Sequence, residues 1–124
     1  MKKIVKQWFN YAAADLKVAK NSLSFSAEFK AISAFHSQQY AEKAIKGYLT
    51  FHNVRFPKSH DLGILVDLVA TVDTKLAHKM TKARPLKIYA VAFRYPDAER
   101  KPLTLAKAKS AIKLAEMVLV ACQV

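Results

Sequence analysis

Two polar side chains, Gln38 and Glu42, interrupt an apolar stripe between Ala31 and Phe51. Apolar residues in this stretch recur at steps of three and four, the pattern of a buried helix face. They are Ala31, Ala34, Phe35, Ala41, Ile45, Tyr48 and Leu49. Both polar residues fall on the same face. A buried amide and a buried carboxylate destabilise a fold unless they find partners, so other segments must supply cations or hydrogen-bonding groups to this helix.

Two residues outside this stretch are candidate partners. Asp15 lies at the edge of the apolar stripe of the first predicted helix, and Arg94 lies at the end of a later apolar segment, shortly before Pro96. We predict that these two residues join Gln38 and Glu42 in one structural polar cluster, in which the guanidinium of Arg94 donates to a carboxylate. Such a cluster acts either as a structural lock or as the floor of a ligand site.

The remaining chemistry-bearing residues give weaker signals. Lys43 and Lys46 follow Glu42 at short helical range, either as phosphate ligands or as surface charges. The 4 histidines lack the carboxylate spacing of a zinc site, so no metal is expected. With Gly47 and Gly63 alone, a glycine-rich phosphate loop cannot be built. We therefore expect no cofactor.

The composition is that of a basic helical protein. The 124 residues include 21 Lys and Arg against 9 Asp and Glu, a net charge of +12, with only 2 Gly and 4 Pro. This length suits a single domain, residues 1–124. The charge suggests a nucleic acid, a nucleotide or an acidic protein as partner, or else solvated lysine faces on amphipathic helices.

The sequence also gives an expectation about location. Cys122 is the one cysteine, which excludes an internal disulfide. No apolar run approaches the length of a membrane span, and no signal-peptide hydrophobic region follows Met1. We expect a cytoplasmic protein that does not enter the membrane.

The apolar periodicity predicts an all-α fold, an up-and-down bundle of about five helices around a four-helix core. The predicted helices span residues 2–23, about 29–52, 61–72, 84–95 and about 103–121, and the stretch 71–81 is mixed. Ser59 or His60 is expected to cap the third helix, with Asp61 in its first turn. Pro85 is expected in the first turn of the fourth helix, and Pro96 is expected to end it.

Four motifs, in order along nearly the whole chain, resemble those of the HEPN domain family (higher eukaryotes and prokaryotes nucleotide-binding). They are Asp15-Leu16; Phe35-His36-Ser37-Gln38-Gln39 with Glu42-Lys43-Ala44-Ile45-Lys46; His60-Asp61-Leu62; and Arg94-Tyr95-Pro96. Tyr40 and Gly47 depart from the family pattern, which usually has small or helix-favouring residues there. We interpret Tyr40 as a variation at a subunit contact or a ligand-facing position.

The resemblance implies a helical bundle that is usually dimeric. Small prokaryotic members are often encoded beside a minimal nucleotidyltransferase, which is their partner. Some branches of the family are ribonucleases, whereas others are binding modules. The ribonucleases carry Arg, four to six residues and then His in a late helix, and they need no metal.

Arg55 and His60 fit the spacing of that ribonuclease motif, but they lie in the predicted loop after the second helix. This loop contains Pro57, so the two side chains cannot project from one helix face. His60 is therefore interpreted as a helix cap or as a ligand contact at the end of the bundle.

The leading hypothesis is a homodimeric binding module without catalysis of its own, a toxin–antitoxin-like partner of a minimal nucleotidyltransferase that binds a nucleotide or RNA. The alternatives are a metal-independent endoribonuclease using Arg55 and His60, and a structural dimer with no ligand. The dimer is also expected because Tyr40, Tyr48, Phe51 and residues 117–122 add apolar surface beyond the core stripes. The candidate ligand-binding residues are His36, Gln39, Lys43, Lys46, His60 and Arg94.

Overall fold

The computed structural model describes residues 2–122, with only the backbone at Arg94, and these residues form helices joined by loops. The α-helices are α1 (Lys3–Ser22), α2 (Ala27–Phe51), α3 (Leu62–Val69), α4 (Thr74–Met80), α5 (Lys87–Val91) and α6 (Leu105–Cys122), with 3-10 turns at Thr81–Leu86 and Ala92–Arg94. No strand occurs within the described residues. The predicted all-α bundle is confirmed. In the same part of the chain, no helix is long and apolar enough to cross a bilayer.

Helix α2 is the central element of the bundle. It packs mainly against α1 and α6, and it also contacts α3 and α5. Ala41, Ile45 and Leu49 on its inner face are fully buried. Gln38 is also fully buried and Glu42 is 3% exposed, as their spacing predicts. The polar pair is therefore part of the interior and requires internal partners.

Helices α1 and α2 are antiparallel and approach each other closely at Gly47. A Cβ atom at this position would lie 3.0 Å from Cβ of Trp8 and 3.1 Å from Cε2 of Phe9. Toward the other end of the pair, the hydroxyl of Ser33 donates a 2.6 Å hydrogen bond to the carbonyl of Ala19. A side chain at position 47 would therefore need Trp8 or Phe9 to shift, which is why glycine suits this close approach of the two helices.

Asn53 ends α2. It adopts a left-handed backbone conformation, with φ of 59°. The amide of Val54 donates to the carbonyl of Leu49 at 2.9 Å, which is the 6→1 bond of a Schellman motif. Asparagine tolerates this conformation better than most residues. The chain then reverses into the loop that contains Pro57 and His60.

The third predicted helix is shorter than expected, and its predicted caps are wrong. The N-cap of α3 is Asp61, whose Oδ1 accepts a 2.8 Å hydrogen bond from the amide of Gly63. The hydroxyl of Ser59 instead accepts from the amide of Asp61 at 3.0 Å. After α3 ends, Asp73 caps the separate helix α4 by accepting from the amide of Leu76 at 3.1 Å.

Pro85 does not begin a helix. It lies inside the 3-10 turn Thr81–Leu86, and α5 starts two residues later at Lys87. The end of this helical region lies where Pro96 predicted it. Tyr95 is extended, with φ of −127° and ψ of 152°, the conformation that a following proline imposes.

Tyr40 is a core residue, which corrects its interpretation as a subunit-contact or ligand-facing position. It is fully buried, its hydroxyl has no hydrogen-bond partner among the described residues, and burial raises its pKa. Tyr48 is also buried, at 6% exposure. Two of the aromatic residues behind the dimer expectation therefore pack within the chain. Exposed apolar side chains occur elsewhere, including Phe25, Phe29 and Ile32 around the start of α2.

Candidate functional site

A row of polar side chains lies where α2 faces α1. On α2 the row comprises His36, Gln39, Lys43 and Lys46, which recur at steps of three and four. The α1 residues that contact it are Trp8, Tyr11 and Asp15, also at steps of three and four. We call these seven residues the α1–α2 seam. It contains four of the six predicted ligand-binding residues.

At one end of the seam, an imidazole and an ammonium group contact the Asp15 carboxylate. Nδ1 of His36 lies 2.7 Å from Oδ1, and Nζ of Lys43 lies 2.5 Å from Oδ2. Asp15 is 7% exposed. Burial alone raises the pKa of this carboxyl, but the hydrogen bonds from His36 and Lys43 outweigh burial and hold the pKa below its ordinary value. The carboxylate is therefore ionised at neutral pH.

The Asp15 carboxylate also orients the imidazole of His36. An ionised carboxylate only accepts hydrogen bonds, so Nδ1 of His36 carries the proton. The Nε2 atom is then the ring nitrogen left for another partner. The side chain of His36 is 27% exposed, and the side chain of Lys43 is 24% exposed. Both groups are within reach of a bound molecule.

At the other end of the seam, the Glu42 carboxylate has three donors. It accepts from Nζ of Lys46 at 3.1 Å and from Nε2 of Gln38 at 3.2 Å. Nδ1 of His60 lies 2.8 Å from Oε1. The same Gln38 amide donates to the carbonyl of His60 at 3.1 Å, and its Oε1 accepts from Gln39 at 2.8 Å. These bonds satisfy the buried polar pair and hold the loop after α2 against the helix.

Two aromatic rings enclose the ammonium of Lys46. Its Nζ lies 5.9 Å from the centroid of the Trp8 ring and 5.7 Å from that of the Phe56 ring. The two rings meet edge to face, with centroids 6.0 Å apart. The side chain of Lys46 is only 10% exposed. Cation–π attraction and the Glu42 carboxylate together stabilise a charge that is largely removed from water.

The His36 end of the seam opens into a groove between the first half of α2 and the segment 93–103. Its volume is about 520 Å³, and its walls include Phe35, Phe93 and Arg100. The guanidinium of Arg100 lies 4.4 Å from the centroid of the Phe93 ring and donates to the carbonyl of Tyr95 at 2.7 Å. A groove of this size, with aromatic walls and a few polar groups, is typical of small-molecule sites.

The predicted polar cluster is distributed over two ion-paired centres. Asp15 pairs with His36 and Lys43, and Glu42 pairs with Lys46 and His60. The Arg94 side chain lies outside the described part of the structure, so its pairing with a carboxylate and its contact with a ligand stay predictions.

Arg55 and His60, the alternative catalytic pair, lie in different surroundings. Arg55 is exposed and lines a shallow hollow with Pro57 and Ile64. The imidazole of His60 is 63% exposed and contacts Glu42 instead. His60 is thus a partner of a buried carboxylate, and the predicted helix cap is supplied by Asp61.

Comparisons with known proteins identify the family of this chain. The model of the HEPN domain matches residues 5–124. The chain belongs to the HEPN domain family. It is also similar to TT1696 from Thermus thermophilus, whose crystal structure gives a TM-score of 0.75 at 27% sequence identity, with 98% of this chain and 97% of that chain covered. A search of the curated proteins gives no match.

The HEPN chain also places aromatic residues in and beside its seam, and none of them was among the predicted site residues. Trp8 and Phe56 enclose Lys46, and Tyr11 lies 5.7 Å from the Nζ of Lys43. Trp8, Tyr11 and Asp15 follow one another at steps of three and four. That spacing places all three side chains on one face of α1, and it is the sequence signal for these contacts.

Proposed function

We propose that this HEPN protein is a binding module that holds a phosphate-bearing ligand, a nucleotide or an RNA strand, at the His36 end of the α1–α2 seam. The observation that carries the proposal is the pairing of Asp15 with His36 at the mouth of the groove, beside Lys43. A buried carboxylate holds both the His36 imidazole and the Lys43 ammonium in position. Pre-positioned donors lower the cost of ordering a ligand site.

The proposed ligand uses the two kinds of surface that meet at this place. Its phosphate accepts hydrogen bonds from Nε2–H of a protonated His36 and from the remaining N–H groups of Lys43. Its base or sugar packs in the adjoining groove against Phe35 and Phe93. The net charge of +12 raises the local concentration of any such anion.

Binding titrations test this proposal. Fluorescently labelled ATP, GTP and a short RNA are titrated at low and moderate salt against the native protein, Lys43→Gln and Lys17→Gln. Lys17 is an exposed α1 lysine, so its replacement removes the same charge away from the seam. We expect binding that weakens with salt and is reduced about tenfold only by Lys43→Gln. If none of the three ligands binds at low salt, the proposal is wrong.

We also propose that the protein is a homodimer and that its partner is a minimal nucleotidyltransferase, in a toxin–antitoxin-like module. Membership of the HEPN family supports both parts of this proposal. Exposed Phe25, Phe29 and Ile32 supply apolar surface that a second subunit would bury. A monomer mass by light scattering at micromolar concentration contradicts the dimer, and failure to co-purify with a nucleotidyltransferase encoded beside it contradicts the partner.

One observation favours a second candidate, the metal-independent endoribonuclease. Glu42 orients Nδ1 of the exposed His60 imidazole at 2.8 Å, an arrangement that suits a general base. Arg55 would then stabilise the phosphate charge. The test is cleavage of labelled RNA in the presence of a chelator. Activity that His60→Ala abolishes and His78→Ala retains supports this candidate, since His78 is an exposed imidazole on α4.

A further inference from the structure

A second groove lies between α4, the 3-10 turn that follows it, and the last turns of α6. Its volume is about 470 Å³, and its lining includes Leu76, Lys79, Met80, Lys82, Met117 and Val120. None of these residues belongs to the α1–α2 seam or to the groove beside it. We call this second groove the α4–α6 groove.

The floor of the α4–α6 groove is apolar and adaptable. Met80 and Met117 contribute flexible thioether side chains, which fit irregular apolar surfaces. Val120 is 69% exposed, the highest value among the large apolar side chains that are exposed in the described residues. Burial of this surface by a partner is favourable in proportion to the apolar area removed from water.

The rim of the α4–α6 groove is positively charged. Lys79 and Lys82 are exposed on one side, and the described lining contains no acidic residue. Exposed Lys75 lies one helical turn before Lys79, and exposed Lys113 lies one turn before Met117. The groove therefore combines an apolar floor with cations around it.

A groove with an apolar floor and a positively charged rim suits one kind of occupant. A second copy of the chain is proposed above to bind at Phe25, Phe29 and Ile32, and none of these residues lines this groove. Single-stranded RNA binds through stacking on aromatic side chains, and the described lining has none. An amphipathic helix with apolar and acidic faces satisfies both the floor and the rim.

We propose that the α4–α6 groove is the docking surface for an acidic amphipathic helix of a partner protein. The apolar face of that helix packs on Met117 and Val120, and its carboxylates pair with Lys79 and Lys82. This inference does not depend on the ligand proposed at the α1–α2 seam, because the two surfaces share no residue.

A designed peptide tests the inference directly. The probe is a labelled amphipathic helix with leucines along one face and glutamates along the other, and its counterpart carries lysines in place of the glutamates. Binding is followed by fluorescence anisotropy and by the ¹³C-methyl signals of Met80 and Met117. The protein variants are Lys79→Glu with Lys82→Glu, and Val120→Ser. Their matched controls are Lys6→Glu with Lys17→Glu on α1, and exposed Val91→Ser on α5.

The expected result is saturable binding of the acidic peptide, with shifts of the Met80 and Met117 methyl signals. Affinity falls about tenfold or more in the Lys79 and Lys82 variant but only slightly in its charge-matched control. It also falls in Val120→Ser and not in Val91→Ser. The inference is overturned if the acidic peptide does not bind or if the lysine peptide binds equally. Equal loss in a variant and its control, or methyl shifts produced only by a labelled RNA, also overturns it.

Discussion

Replacing Glu42 by glutamine is expected to lower the free energy of unfolding by about 2–4 kcal/mol. Glu42 is 3% exposed, and its carboxylate lies 3.1 Å from the ammonium of Lys46, whose side chain is 10% exposed. Glutamine keeps nearly the same shape but removes the charge. The substitution therefore leaves Lys46 buried without its anion.

The magnitude follows from the surroundings of the pair. Removing one partner of a buried ion pair costs about 3–5 kcal/mol. The Trp8 and Phe56 rings remain in place and stabilise the orphaned ammonium by about 1 kcal/mol or more. The contact with His60 changes this balance by less than about 1 kcal/mol, because its imidazole is 63% exposed. These contributions leave a net loss of about 2–4 kcal/mol.

Urea denaturation followed by tryptophan fluorescence measures this loss, since Trp8 is the one tryptophan and contacts Lys46. The control is Glu116→Gln, which breaks the exposed pair with Lys20 and is expected to cost less than about 1 kcal/mol. A second variant, Glu42→Leu with Lys46→Met, removes both charges and is expected to recover most of the stability. The reasoning is refuted if Glu42→Gln costs no more than Glu116→Gln, or if the apolar double variant is less stable than Glu42→Gln.

Four further predictions concern single positions. Gly47→Ala is expected to cost up to about 2 kcal/mol in urea denaturation, because overpacking at 3.0 Å from Cβ of Trp8 costs about 1–3 kcal/mol and the better helix propensity of alanine offsets about 1 kcal/mol of it; a raised midpoint would contradict the close approach. Tyr40→Phe removes a buried hydroxyl without a partner, so the midpoint is expected to stay the same or rise. Asp15→Asn is expected to lower stability at pH 7. In the folded protein the pKa of Asp15 lies below its ordinary value of 3.8, so the contacts of the carboxylate stabilise the fold fully above pH 3.8. This stabilisation is lost as the pH falls through the folded pKa. Asparagine does not titrate, so below about pH 5 the free energy of unfolding of the variant is expected to fall less steeply with pH than that of the native protein. Burial raises the pKa of the Cys122 thiol to about 12, so iodoacetamide is expected to modify it only in urea, as mass spectrometry would show.

The sequence predicted the long helices and the buried polar pair because both depend on local patterns. The three- and four-residue periodicity placed Gln38 and Glu42 on the inner face of α2, and both are buried. Pro96 correctly marked the end of the helical region before it, because a proline restricts the residue that precedes it. The HEPN motifs, spread over nearly the whole chain, identified the family.

The ion pairs of the site were harder to predict where their two residues lie far apart in the chain. Asp15 and Lys43 are 28 residues apart, and no local spacing joins them. The pair of Glu42 with Lys46 is four residues apart and was available from the sequence. The helix predicted over residues 61–72 is present as α3 but ends three residues early, at Val69, and Asp73 then caps the next helix.

Chemical-shift mapping tests the central claim, a phosphate-bearing ligand at the α1–α2 seam, most directly. ATP, GTP or a short RNA is added to the ¹⁵N-labelled protein, and the spectra are repeated at raised salt. The account predicts saturable shifts at His36, Gln39, Lys43 and the groove segment 93–103, and it predicts that salt reverses them. The absence of shifts with every ligand at millimolar concentration, or shifts confined to residues outside the seam and its groove, would contradict it.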